Sequence, residues 1–405
     1  MKKLLIASAA LAMVAGTAQA QSSVTVYGVL DIGVSEVKNN VTAAADGVTT
    51  NNKISNTGNG DGSLATSRLG FRGTEDLGKG RKANFQLEYD LTDVGTGSTS
   101  GTGATPSTTT RAASTSHAQL GARYAWVGLE DAKLGQLRLG QQETTMHSVF
   151  VAGLAGAANN AIGSVYSAGD TVNSISDNSA SIRPYSVFVS RAVTYISPSI
   201  SGVRFEVQSA AYSTSATGQG APAGAPADVR NSLNAASLKY SFGKLNLAAA
   251  MQTSKVDASD ANNQVDTRDT TAVSANYDFG KVRAFAVYAD DKVTQAAGVT
   301  RDSKTTEIGL QLPMGKTMLW ASAFEGDRKG TALNQTTAAS AGLTSQTLNR
   351  NADTSGFQVG IRNDLSKRTA LYAIYGKQEI KGTASDNNRG KIESTGMSVG
   401  VRHSF

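Results

Sequence analysis

A 405-residue chain with no cysteine, 42 glycines, 6 prolines and a formal charge of +6 excludes several classes at once. Without thiols it builds neither a disulfide scaffold nor a thiolate zinc site. The charge is mild and unclustered, unlike that of a nucleic-acid interface.

Residues 1–20 have the form of an export signal. Lys2-Lys3 give a positive start, Leu4 to Val14 an apolar stretch, and Ala18-Gln19-Ala20 a small-residue cleavage site before Gln21. The apolar stretch is too short for a membrane-spanning helix, and no run of about 18 apolar residues follows it. With a negative mean hydropathy and long Ser, Thr, Asn and Gly-rich stretches, two classes remain for residues 21–405. One is a soluble all-β repeat protein. The other is an outer-membrane barrel whose apolar lipid face is diluted by a polar interior.

A tilted strand spans a bilayer in about 9–11 residues, with alternate side chains facing lipid. The first candidate is Val24 to Ile32, where Val24, Val26, Leu30 and Ile32 share one face and Asp31 lies on the other. Next, Leu69 and Phe71 alternate with Arg68 and Arg72, and Ala83 to Tyr89 alternates throughout. The same pattern continues at Leu238, Tyr240 and Phe242, at Leu245, Leu247 and Met251, at Ile308, Leu310 and Leu312, and at Phe357, Val359 and Ile361 against Gln358 and Arg362. Counting such runs gives about 16, and single-chain bacterial barrels favour an even number.

The connections are of two kinds. Short ones such as Gly243-Lys244, Gly280-Lys281, Pro313-Met314-Gly315 and Asp364-Leu365-Ser366-Lys367 alternate with long polar ones near 36–63, 92–117, 213–231, 327–353 and 380–392. That asymmetry matches tight periplasmic turns and long outer loops. No fixed repeat period supports a β-helix or propeller. The chain ends on a strand in which Met397, Val399, Val401, His403 and Phe405 share a face, an exposed and sticky edge unless it pairs with the first strand.

One stretch, about 142–185, lacks strand alternation. A loop that long in a compact domain is usually functional, and it is expected to fold inward and narrow the lumen. The informative charges are Arg68 and Arg72, opposite Leu69 and Phe71, Arg123, opposite Tyr124 and Trp126, and Arg138, opposite Leu137 and Leu139. An arginine on the lipid face at the midplane costs about 2–4 kcal/mol, so these point into the lumen. Singly each is consistent with an ordinary solvated wall. Together, opposed in the loop only by Glu143, Asp170 and Asp177, they predict a positive constriction that focuses anions.

Other signals are weaker. Gly396-Met397-Ser398-Val399-Gly400 fits a nucleophile-elbow spacing but sits inside a strand. Gly73 to Lys79 begins like a phosphate loop, but Gly80 stands where Ser or Thr would hold magnesium. His117, His147 and His403 have no metal-ligand spacing and are expected to be solvated or interfacial. Trp126, Trp320 and the tyrosines are expected to form aromatic girdles at the bilayer interfaces.

These motifs resemble the general bacterial porins of Gram-negative organisms, in their beta-proteobacterial branch of the Neisseria, Bordetella, Burkholderia and Comamonas type. The residues that match are Ser23-Val24-Thr25-Val26-Tyr27-Gly28, the block from Ser67 to Gly78, Arg123 to Leu129, Tyr195-Ile196-Ser197-Pro198 and the ending Val399 to Phe405. The resemblance implies an all-β, 16-stranded antiparallel transmembrane barrel, assembled as a homotrimer, with its third outer loop in the lumen. It assigns constriction arginines to Arg68 and Arg123, and to Phe405 the signal for the barrel-assembly machinery. Where a third family arginine often stands this chain has Phe188, with Arg191 or Arg183 as replacement, and Gln141 occupies a further arginine position.

The function expected is passive outer-membrane diffusion of ions and small hydrophilic solutes with anion preference. The expected surroundings are the lipid bilayer and lipopolysaccharide, and no cofactor or nucleic acid is called for. A substrate-specific channel, a structural or adhesive barrel and a barrel enzyme are the alternatives.

Overall fold

The computed structural model describes residues 23–42, 49–57, 62–91, 121–167, 186–215, 228–258, 267–294, 300–330, 351–382 and 391–405. The signal at 1–20 and the loop at 92–117 lie outside the described residues, as do Asp170, Asp177, Arg183 and His117. The strands are β1 (Ser23–Thr42), β2 (Thr49–Thr57), β3 (Arg68–Gly78), β4 (Arg81–Asp90), β5 (Gly121–Asp131), β6 (Gly135–Glu143), β7 (Phe188–Ile196), β8 (Val203–Ser215) and β9 (Asp228–Phe242). They continue as β10 (Leu245–Ala258), β11 (Thr267–Asp278), β12 (Arg283–Thr294), β13 (Thr300–Met314), β14 (Thr317–Gly330), β15 (Ala352–Asp364), β16 (Thr369–Gly382) and β17 (Lys391–Ser404). A helix, α1 (Thr145–Ala152), follows β6.

All pairings between strands are antiparallel, and from β3 onward each strand pairs with the next. The last, β17, pairs with β1 from Val29↔Ser404 to Thr42↔Lys391. The 17 strands form 16 staves, because β2 and β3 share one position: β2 pairs with the distal half of β1 and β3 with its proximal half. The 36–63 stretch, expected as an outer loop, is therefore largely wall. β2 extends the wall beside β1, and among the described residues 62–67 lies off the stave between β2 and β3.

The closed ring follows from the solvent. In hydrocarbon an unpaired backbone N–H or C=O costs several kcal/mol, and closure leaves no edge. The final residue completes it: Phe405 N–H donates to the Gly28 carbonyl (3.1 Å) and Gly28 N–H to the Phe405 carbonyl (3.2 Å). Gly28 is needed for that approach, since a Cβ there would overlap the Phe405 ring and come within 2.7 Å of the Arg68 carbonyl oxygen.

Alternation sorts the side chains as expected. Val24, Val26, Ile32, Val127, Leu129, Leu310, Val359 and Val399 point out, while Asp31, Glu88, Gln208, Glu307 and Gln358 are buried on the inner face. The outward aromatic residues near the short turns include the pairs Tyr195–Phe205, Tyr240–Phe242 and Tyr277–Phe279. The tryptophans do not join them. Trp126 and Trp320 lie inside the barrel, 8% and 6% exposed. Trp126 carries the Arg138 guanidinium 4.4 Å from its ring centroid, and Trp320 Nε1 donates to Gln358 Oε1 at 3.1 Å. For Trp320 the room comes from Gly360 across the ladder, where a Cβ would overlap the indole, while Trp126 follows the inward parity of its strand.

Closure through the last residue predicts that Gly28→Val loses about 1–3 kcal/mol of stability by overpacking. Urea unfolding of the barrel in lipid vesicles measures it. A midpoint equal to wild type would show that the Phe405 ring yields freely.

Candidate functional site: a charged constriction

The inner face of β10–β12 is unusually small and apolar. Ala248, Ala250, Ala272, Ala289 and Val287 form a shallow trough, and α1 lies in it with Met146, Val149 and Phe150 fully buried. Each such side chain contributes about 1.5–3 kcal/mol on burial, which orders a helix too short to persist alone. Its ends are tied to the wall. Thr144 caps the first turn by accepting from His147 N–H, Gln208 Oε1 accepts from Thr145 N–H, and Asn276 Nδ2 donates to the Ala152 carbonyl.

Beyond α1 the chain crosses the lumen through residues 153–167, anchored by two buried wall residues. Gln358 Nε2 donates to Asn159 Oδ1, Ala161 O and Ile162 O at 3.0–3.1 Å. Glu307 Oε2 accepts from Ser164 Oγ and Val165 N–H, both at 2.8 Å. From the other side the 62–67 excursion enters the lumen. Asp31, fully buried, accepts from Tyr372 OH (2.7 Å) and Ala65 N–H (2.6 Å). The two inward segments meet where Asn160 donates to the Ser63 and Gly62 carbonyls.

Between them lies a cavity of about 750 Å³ lined by four arginines, Arg68, Arg123, Arg362 and Arg402, and two carboxylates, Glu88 and Glu143. Glu88 organises one wall. It accepts from Tyr27 OH (2.9 Å) and Arg123 Nε (2.7 Å) and stands 3.8 Å from Arg68 Nε. Arg123 is also held by Asp90 at 3.0 Å and lies over the Phe188 ring. Arg68 is more open, and Arg402 forms no ion pair among the described residues, facing Arg68 and Arg362 as like charges and Asp31 and Asp364 as opposite ones. Arg362 is paired with Asp364 at 3.0 Å.

The placement of the other expected residues differs in detail. Arg123 does not face away from Tyr124: a bulge after Glu88 in the β4–β5 ladder turns both into the lumen, where both line the cavity. Glu143 lines the cavity and pairs with His147 at 3.1 Å. That histidine is 6% exposed, neither solvated nor interfacial. Arg72 lies over the Tyr27 ring and Arg138 over Trp126, and neither is among the cavity-lining residues. Arg191 occupies a β6–β7 bulge with left-handed backbone (φ 55°) and lies over Tyr212, so it does not replace the arginine absent at Phe188. Arg362 and Arg402 enter instead, from strands distant in sequence. Their parity opposite Ile361 and Val401 was the available signal.

A closed barrel with an apolar outer face and a charged, narrowed lumen defines an outer-membrane channel. The chain belongs to the Gram-negative porin family, whose model matches residues 7–383. An outer membrane porin protein of Bordetella pertussis is 30% identical over 431 aligned positions, covering all of both chains. Among solved structures, the anion-selective porin from Comamonas acidovorans superposes with a TM-score of 0.64 at 21% identity, over 95% of this chain and 100% of that one. The trimer form of OmpT from Vibrio cholerae superposes with a TM-score of 0.55 at 14% identity, over 95% of this chain and 99% of that one. The protein is an outer-membrane porin.

The anchors make the inward segment testable. Glu307→Ala removes two hydrogen bonds to a carboxylate, which lowers stability by about 2–4 kcal/mol and increases current fluctuations in single-channel recordings. Noise at the wild-type level would mean that α1 alone holds the segment.

Proposed function

We propose that this porin is a passive general diffusion channel with anion preference, in which the 142–185 segment is the constriction loop. The observation that carries the reading is the charge of the cavity lining, four guanidiniums against two carboxylates. A narrow passage with low-dielectric walls focuses such a field, and screening over about 8 Å at physiological ionic strength leaves only charges at the narrow zone effective. Arg68 and Arg402 carry the attraction, while Arg123, held by Glu88 and Asp90, and Arg362, paired with Asp364, mainly position the wall. Glu143 opposes them, and weak binding keeps flux possible. That the similar Comamonas acidovorans structure is of an anion-selective porin supports this reading.

The working assembly we infer is a homotrimer embedded in the bilayer with lipopolysaccharide around it, delivered by the barrel-assembly machinery through the strand ending at Phe405. A structure described as the trimer form among the similar folds supports that assembly. Small anions and hydrophilic solutes are the cargo, and the mechanism calls for no cofactor and no catalytic group.

Planar-bilayer recording under a potassium chloride gradient tests this. Wild type is expected to conduct in three equal steps with a reversal potential of anion sign. A charge about 6 Å from the ion path contributes roughly 0.7 kcal/mol in water. The anion gains that energy and the cation loses as much, so Arg68→Ala or Arg402→Ala should lower the anion-to-cation permeability ratio about tenfold, and the double variant further. Cation selectivity in wild type, or a double variant that keeps its selectivity, would overturn the anion reading.

A further inference from the structure

A second basic cluster lies on the inner face near the long-loop ends of four consecutive strands. Arg268 of β11, Asp291 of β12, Arg301 of β13 and Arg328 of β14 all point inward, and ladder pairing brings them together: Arg268 and Arg301 both oppose Val293, while Asp291 and Arg328 both oppose Ser303. Asp291 is the shared carboxylate. Its Oδ1 accepts from Arg268 Nε at 2.7 Å and its Oδ2 is 3.5 Å from Arg301 Nη2. Arg301 in turn feels both Arg268 and Arg328. Two guanidiniums thus share one carboxylate with Arg328 as a third cation beside them, and the inward neighbours on β15, Ala352 and Thr354, carry no charge.

Arg328 is the member that this arrangement leaves unsatisfied. It is 8% exposed, and among the described residues its Nε has no hydrogen-bond partner and it joins no ion pair. A buried, unpaired charge is strongly destabilising unless something compensates it. Guanidinium forks match the oxygens of phosphate-type anions in bidentate geometry. Arg268, whose side chain is 22% exposed, gives the cluster a solvent-accessible side.

We propose that Arg268, Arg301 and Arg328 form a binding site for a divalent oxyanion of the phosphate class. The site lies on the long-loop side of the constriction, separate from the Arg68 wall. Arg301 is six residues along β13 from the loop anchor Glu307, about 20 Å of strand. The bound anion neutralises the excess charge and places a phosphate-bearing solute above the narrow passage. The site does not depend on the selectivity of the constriction.

The test uses the refolded full-length protein and inorganic phosphate at low-millimolar concentration, below the range in which excluded salts stabilise proteins generally, against chloride at equal ionic strength. Phosphate should raise the unfolding temperature of wild type saturably. Arg328→Gln should weaken the half-saturating concentration at least about tenfold, with Arg268→Gln as the second variant should Arg328→Gln not refold. Arg283→Ala, at the short-turn end of β12 and outside both arginine clusters, should keep the wild-type response. No phosphate-specific shift in wild type, an unchanged half-saturation in the cluster variants, or loss of the shift in Arg283→Ala would overturn the site. Because this readout uses no current, it stands or falls separately from the anion selectivity of the channel.

Discussion

The structure depends on one constraint, that no backbone polar group is left unpaired where water is absent. It forces the sheet to close, and closure makes the last residue part of the ladder, so that Phe405 and Gly28 exchange both backbone hydrogen bonds. Closure also divides every strand into a lipid face and a lumen face with period two. The outer face needs only apolar side chains. The inner face has to satisfy each polar group it encloses.

The inner face solves that demand in two ways. Opposite α1 it is reduced to Ala248, Ala250, Ala272 and Ala289, so that an apolar helix replaces polar contacts. Elsewhere buried polar residues reach across the lumen to backbone groups of the inward segment, as Gln358 and Glu307 do. These bonds fix the segment's position, and hence the cavity dimensions, by packing against a rigid wall. Function in a sieve needs that rigidity more than it needs affinity.

Charge is arranged with the same economy. Arg123 is held by two carboxylates and contributes order, whereas Arg402 has no ion-pair partner among the described residues and contributes field. Glu88 binds Tyr27 and Arg123 and stands near Arg68, so one buried carboxylate sets the geometry of three strands. A wall in which every arginine was neutralised would be stable and electrically silent. A wall with none neutralised would pay the full cost of desolvated like charges.

Much of this was legible in the amino-acid sequence, because strand period, turn length and the lipid-face cost of charge act locally. They determined the all-β class, the inward direction of Arg68, Arg72 and Arg138, and the interruption after β6. What period two could not carry was any residue displaced by a bulge or by a neighbour across the ladder. The bulge beside Arg123 reversed the expected relation of that residue to Tyr124. The indole of Trp320 lies inside over Gly360, where a Cβ would overlap it, and that of Trp126 lies against the Arg138 guanidinium. Only closure of the ring brought Arg402 of the final strand beside Arg68 of β3, and only the ladder registers of β11–β14 gathered Arg268, Arg301 and Arg328 around Asp291. Local chemistry decides which face a side chain takes; tertiary closure decides which distant charges meet, because that depends on register summed around the whole barrel.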